Sequence, residues 1–196
     1  MSEERLRRWV EQLVATPGLT AIKDLDEAWR EHVERSLEAV EVVSRFEGPL
    51  VDVGSGGGSP GIPLAAAFPD REVTLLEAQD RKAAALVRLA VEFPNVCVIR
   101  GRAEDQATDC YKVAVARALA EPPVAAEWCL PLVTPGGAVV LFVGPTAEPE
   151  RVQRVADRVG GGELEQLGGL LVIPKVVRTP AGFPRRPGIA KKRPLA

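Results

Sequence analysis

The sequence has few of the residues that build metal and redox sites. It contains one histidine, His32, and three cysteines, Cys97, Cys110 and Cys129, whose spacing matches no metal or redox motif. This scarcity argues against a zinc site and predicts buried thiols in a reducing compartment. We therefore expect a cytoplasmic protein that binds no metal.

Long apolar runs are also missing. No stretch approaches the roughly 20 residues that a membrane-spanning helix needs. The charged residues 2–8 lack the apolar core of a signal peptide. The 196 residues suit one domain, and a hydrophobic content of 46% is enough for a sizeable core. We expect a monomer with no membrane partner.

Charge is distributed unevenly along the chain. The formal net charge is −2, yet residues 175–196 hold seven basic residues and no acidic one. A basic end on an acidic body predicts a local contact with a polyanion. The candidate polyanion-binding residues are Lys175, Arg178, Arg185, Arg186, Lys191, Lys192 and Arg193.

The apolar pattern changes near residue 48. Apolar spacing before it predicts a helix over 3–15 and a second one from Asp24 to about Val43. After it, short apolar runs alternate with helical segments, as in a parallel α/β sheet. The predicted strands are 50–53, 72–76, 96–100, 111–116 and 138–143, followed by a hairpin over 163–177. The predicted helices between them are 61–68, 79–92, 121–131 and 147–159.

This pattern predicts a doubly wound, mostly parallel sheet of seven strands, the arrangement of class I methyltransferases. Three regions follow from it. Residues 1–47 form a helical appendage, residues 48–177 form the ligand-binding core, and residues 178–196 form a basic, proline-rich arm on the surface.

A glycine-rich loop follows the first predicted strand. Residues 54–61 contain five glycines, which let a backbone approach a ligand closely. Gly56, Gly58 and Gly61 match the dinucleotide fingerprint, and Glu77 follows Gly58 by 19 residues. On spacing alone, an NAD site is an alternative.

An acid on the first strand followed by Gly-x-Gly-x-Gly favours S-adenosylmethionine instead. Here Asp52 precedes Gly54, Gly56 and Gly58. Glu77 ends the second predicted strand, and its carboxylate offers two acceptor oxygens to a pair of ribose hydroxyls.

Several motifs in the same order resemble the GidB family, also called RsmG, of bacterial methyltransferases that modify N7 of a guanine in small-subunit ribosomal RNA. The similarity covers nearly the whole chain. The matching segments are 19–24, His32, 36–37, 52–58, 60–63, 74–77, 81–82, 101–104, 116–118, 135–137, 179–188 and 192–195.

The resemblance implies cofactor contacts at Gly54, Ser59, Ala103, Glu104 and Arg117. With the residues above, the candidate cofactor-binding set is Asp52, Gly54, Gly56, Gly58, Ser59, Glu77, Ala103, Glu104 and Arg117. It also implies that the basic tail binds 16S ribosomal RNA or the 30S subunit, at the guanine that the family convention numbers 527 in the 530 loop. Arg117 is the only candidate for a catalytic role.

Two positions depart from the family pattern. Gly18 stands where the family usually has Asn, and Val143 stands where it usually has Lys. They leave two alternatives open. One is a methyltransferase for another RNA or a small molecule, and the other is a non-catalytic ribosome-assembly factor that binds S-adenosylmethionine.

Overall fold

In the computed structural model, which describes residues 2–196, the chain folds around one seven-stranded sheet. The strand order is β3-β2-β1-β4-β5-β7-β6, and β7 runs antiparallel to both of its neighbours. The predicted fold class is confirmed. The strands are β1 (Leu50–Val53), β2 (Val73–Glu77), β3 (Val96–Arg100), β4 (Tyr111–Arg117), β5 (Val133–Phe142), β6 (Glu165–Leu167) and β7 (Leu170–Pro174).

The direction of winding reverses between β1 and β4, which pair in parallel at the centre of the sheet. In an open α/β sheet, ligands bind at the carboxyl ends of the strands at such a switch point. Val53, Glu77 and Arg117 are the last residues of β1, β2 and β4 and therefore lie at this edge.

Helices cover the sheet. They are α1 (Ser2–Ala15), α2 (Leu25–Trp29), α3 (Arg35–Leu37), α4 (Val40–Ser44), α5 (Gly61–Ala67), α6 (Asp80–Leu89), α7 (Pro122–Cys129), α8 (Pro149–Val159) and α9 (Ile189–Lys192). Ala103–Asp105 and Leu130–Leu132 form short 3₁₀ turns. No helix within residues 2–196 is long and apolar enough to cross a membrane.

The helix predicted from Asp24 to about Val43 is confirmed over residues 25–37, but it contains a π turn and is interrupted at Glu38 and Ala39. Asp24 caps α2 by accepting a hydrogen bond from the Glu27 amide at 2.8 Å. A π-helical turn, Arg30–Glu34, then separates α2 from α3. The Ser36 hydroxyl donates to the His32 carbonyl at 2.7 Å, a back-bond that bends helices. π turns of this kind are common at functional sites.

The N-terminal helices share the core of the sheet. Trp9 and Leu13 of α1 are buried in the same apolar cluster as Ile62 and Leu64 of α5. The Trp9 indole N–H also donates to the Gly57 carbonyl at 3.2 Å, which ties α1 to the glycine loop. The boundaries at residues 47 and 178 stay predictions.

The C-terminal tail packs against the body, so the prediction of a surface arm is wrong for its central part. Ala190 is buried, and Arg185 forms an ion pair with the buried Glu127 of α7. The cysteine prediction is also corrected in part. Cys129 is buried as expected, but Cys97 and Cys110 are exposed.

Candidate functional site

The glycine loop is held from beneath by Asp52. Its Oδ2 accepts a hydrogen bond from the Gly61 amide at 3.0 Å. A Cβ on Gly61 would lie 2.8 Å from the same oxygen and 2.3 Å from Leu75 Cδ2, so glycine is required there. Because Asp52 is buried under the loop, its prediction as a direct cofactor ligand is corrected to a supporting role.

Burial raises the pKa of the Asp52 carboxyl to about 7, although the hydrogen bond from the Gly61 amide opposes the shift. Its Oδ1 has no hydrogen-bond partner among residues 2–196. Gly58 is buried with it, and its amide donates to the Ser55 carbonyl at 2.7 Å. Gly58 therefore shapes the loop from within.

Glu77 connects the loop to the end of β2. Its Oε2 accepts from the Gly56 amide at 2.9 Å, and its Oε1 accepts from the Gln79 amide at 2.8 Å. Each carboxylate oxygen has room for a second hydrogen bond. Both oxygens are thus oriented by the backbone and retain acceptor capacity for a ligand.

A cavity of about 310 Å³ opens beside this carboxylate. Gly54, Glu77, Ala103 and Glu104 line it, so four of the nine predicted cofactor residues share one space. Gly54 has a φ of +74°, and a Cβ there would lie 2.4 Å from Leu119 Cδ1. This glycine is required both by the turn and by the side chain that closes over it.

Ser59 and Arg117 belong to a separate cluster. The Arg117 guanidinium donates through Nη1 to the Glu31 carbonyl at 2.6 Å and through Nη2 to the Ser59 hydroxyl. The same Nη2 lies 3.1 Å from His32 Nδ1, and His32 Nε2 lies 3.0 Å from the Thr20 hydroxyl. The cluster therefore connects β4 and the glycine loop to the N-terminal π turn.

The geometry assigns the His32 tautomer. Nδ1 faces a guanidinium N–H and must accept, so Nε2 carries the proton and donates to Thr20. Burial lowers the pKa of His32 below its ordinary value, and the charge of Arg117 lowers it further. The imidazole is consequently neutral at pH 7.

A second concavity of about 530 Å³ lies on the other side of Arg117. Ala118 contributes to the lining of both cavities. The charged lining of the second concavity comes from three glutamates and three arginines. These are Glu31, Arg35, Arg117, Glu121, Glu148 and Arg151.

The two departures from the family pattern have local explanations. Gly18 has a φ of +84°, a left-handed conformation that Asn also tolerates, so the backbone shape is kept. Val143 lies in the wall of the second concavity, where Arg35 and Arg151 supply cations from other elements.

Two of the predicted polyanion contacts, Lys175 and Arg185, bind groups of the protein itself. Lys175 is 1% exposed, and its Nζ donates to the carbonyls of Leu130 and Val159 and to the Thr179 hydroxyl, each at 3.0 Å. Arg185 forms an ion pair with Glu127. The remaining candidates are exposed, namely Arg178, Arg186, Lys191, Lys192 and Arg193.

Sequence reasoning missed three lining or supporting side chains. His32 was visible only as part of the family pattern, and Thr20 carried no signal of a contact with it. Trp128 lies in an apolar helix and lines the first cavity together with Lys191. Within residues 2–196, no group of three or more potential metal ligands is present.

Comparisons with known proteins agree with this geometry. The model of the family GidB, described as rRNA small subunit methyltransferase G, matches residues 3–159. The ribosomal RNA small subunit methyltransferase G of Pelotomaculum thermopropionicum is 39% identical over 200 residues, which cover 91% of this chain and 83% of that protein.

Solved structures share the fold. The 16S rRNA methyltransferase RsmC of T. thermophilus, solved with AdoMet and guanosine, has a TM-score of 0.52 at 17% identity and covers 69% of this chain and 37% of that one. MtNAS, solved with S-adenosylmethionine, has a TM-score of 0.58 at 15% identity and covers 88% and 72%. From its family model and relatives, this chain belongs to the rRNA small subunit methyltransferase G family.

Proposed function

We propose that this chain transfers the methyl group of S-adenosylmethionine to N7 of a guanine in 16S ribosomal RNA. One observation carries the proposal. Two concavities share the lining residue Ala118, and one is bordered by Gly54 and the Glu77 carboxylate, the other by Arg117. A methyl donor in the first would face a base in the second.

The residues of the first cavity fit the cofactor. Glu77 is positioned to accept from both ribose hydroxyls, because its two oxygens are already oriented by the Gly56 and Gln79 amides. Glu104 offers a carboxylate to the adenine amino group, and Gly54 lines the same cavity. S-adenosylmethionine, when bound, supplies an electrophilic methyl group.

The second concavity suits a guanine that has been turned out of its RNA strand. Guanine O6 and N7 lie side by side on one edge and both accept hydrogen bonds. A donor from Arg117 to O6 would direct N7 towards Ala118 and the first cavity. His32, Ser59 and the Glu31 carbonyl hold Arg117 in place for this role.

For this reaction the protein mainly has to align guanine N7 with the methyl group of the cofactor. Guanine N7 has a free lone pair and no proton, so no general base is required. Holding two reactants in line can contribute roughly 7–11 kcal/mol of barrier lowering. N7 methylation leaves the purine cationic, and the lining of the second concavity adds no net charge, because its three carboxylates are matched by three guanidinium groups.

Phosphate contacts come from the exposed cations of the tail. Arg178, Arg186, Lys192 and Arg193 are all exposed. Contacts of this kind position an RNA without reading its sequence, and they weaken as salt rises.

Two titrations and one transfer assay test the proposal. In calorimetry, the purified chain should bind S-adenosylmethionine and show no heat with NAD. With labelled S-adenosylmethionine, it should transfer label to 30S subunits that lack the modification. Label in small metabolites would favour the other-substrate alternative. Binding without transfer to any RNA would favour a non-catalytic assembly factor.

A further inference from the structure

The C-terminal segment 183–192 lies along one side of the first cavity. Its anchor is Arg185, whose Nε and Nη2 donate to the two carboxylate oxygens of Glu127, each at 2.6 Å. The Glu127 side chain is only 3% exposed. A paired, bidentate contact to a buried carboxylate has defined geometry, so the segment has a defined position.

Beyond this anchor, the segment contacts a residue of the cavity directly. The Gly188 amide donates to Glu104 Oε1 at 3.2 Å. The same oxygen accepts from Arg102 Nη2 at 3.1 Å, and the Glu104 side chain is only 5% exposed. The direction in which the Glu104 carboxylate points is therefore set partly by the tail.

One residue of the segment lines the cavity itself. Lys191 Nζ lies 5.2 Å from the centre of the Trp128 ring, within the range of a cation–π contact. Both side chains border the cavity. The preceding Ala190 is 2% exposed, which seats this turn of helix against the body.

We propose that segment 183–192 forms a wall of the S-adenosylmethionine pocket and positions Glu104 for the adenine. Gly188 acts through Glu104, while Lys191 and Trp128 close the same side of the pocket. The inference rests on the proposed function, because it takes S-adenosylmethionine as the ligand of this cavity. It changes the role of the tail, which was expected to serve RNA binding alone.

The residues of this region fall into two groups that differ in their contacts. Arg185, Gly188 and Lys191 contact Glu127, Glu104 and Trp128. Arg186 and Lys192, and Arg193 directly after the segment, are exposed and make none of these contacts. The two groups separate cofactor binding from RNA binding within one short stretch, and this makes the proposal testable with neighbouring residues.

Hydrogen–deuterium exchange of the full chain tests the wall without any substitution. Adding S-adenosylmethionine should slow exchange in peptides that cover 54–61 and also in those that cover 185–191. Protection in the glycine loop with none in 185–191 overturns this inference and leaves the proposed function standing. Protection in neither region overturns both.

A pair of neighbouring variants gives a second test. Lys191→Ala should raise the Kd for S-adenosylmethionine about three- to tenfold, since it removes the cation–π contact and the apolar stem over Trp128. Lys192→Ala should leave that Kd unchanged and weaken RNA binding instead. In steady-state assays, Lys191→Ala should raise KM for the cofactor and not KM for the RNA. An unchanged cofactor Kd in Lys191→Ala, or equal changes in both variants, contradicts the proposal.

Truncation is a weaker test, because it leaves the buried Glu127 without its cation and risks unfolding the chain. Arg185→Lys keeps the charge and loses the bidentate geometry. It should preserve the fold, measured by thermal unfolding, while raising the cofactor Kd by a smaller factor than Arg185→Ala. Equal cofactor affinity in wild type and both variants would overturn the role of the anchor.

Discussion

Arg117 Nη2 lies 3.1 Å from His32 Nδ1, and this contact joins the end of β4 to a π turn 85 residues earlier in the chain. The only histidine of the protein is thereby placed against a cation. A neutral imidazole accepts from the guanidinium, whereas a protonated one would repel it. The contact makes the cluster of Arg117, Ser59 and His32 sensitive to pH.

The sign of that sensitivity follows from the lowered pKa of His32. An unfolded chain takes up the proton at a higher pH than the folded one. The contribution of His32 is therefore complete above its ordinary pKa of about 6.5 and is lost as the pH falls below it. The free energy of unfolding of wild type relative to His32→Gln should decrease between pH 7.5 and pH 5.5. A constant difference would show that His32 does not titrate in contact with Arg117.

Glu77→Ala should weaken S-adenosylmethionine binding by about 2 kcal/mol, or about thirtyfold in Kd, the scale of a charge-assisted hydrogen-bond acceptor. Calorimetry measures the change. Glu47→Ala removes an exposed carboxylate outside both cavities and serves as the control. Equal affinities in the two variants would remove Glu77 from the site.

Gly61→Ala should destabilise the fold by about 2 kcal/mol, because the new Cβ would collide with Asp52 and Leu75 beneath the loop. Denaturant unfolding measures the loss. Gly144→Ala is the matched control, since its Cβ would meet nothing within 4 Å. A stable Gly61→Ala chain would mean that the loop does not need this close approach.

Lys175 is buried and Lys192 is exposed, so substitutions of these two lysines should affect RNA binding differently. Lys192→Met should reduce the slope of log Kd against log salt by about 1, as expected for one lost phosphate contact. Lys175→Met should leave the slope unchanged, because its ammonium is buried and bonded to protein oxygens. A reduced slope in Lys175→Met would restore it as an RNA contact.

The sheet could be predicted because apolar runs of four to seven residues mark buried strands directly. The main error was at β5, which begins at Val133 rather than 138. Pro135-Gly136-Gly137 has the composition of a turn, yet in the structure it belongs to the strand, opposite a register shift between Tyr111 and Val113 of β4. Composition alone does not distinguish a turn from an irregular strand.

The candidate site was only partly predictable, since local patterns reveal loops but not distant contacts. The glycine loop and Glu77 follow from spacing along two adjacent strands. The His32–Arg117 contact depends on the position of the π turn at Arg30–Glu34. The spacing of apolar residues does not reveal a π turn. The tail was misjudged from its polarity, although Glu127 within the apolar run of α7 was a sign that a buried acid needed a cation.

Transfer of the methyl group to guanine N7 of 16S ribosomal RNA is the proposed reaction. The most direct measurement incubates the chain and S-adenosylmethionine with 30S subunits that lack the modification, and then locates the product by mass spectrometry and by strand cleavage at alkali-labile 7-methylguanine. We expect one new cleavage site, in the 530 loop, which Glu77→Ala forms more slowly when S-adenosylmethionine is below saturation. A methyl group on another atom or another RNA, or no methyl transfer at all, would contradict the account.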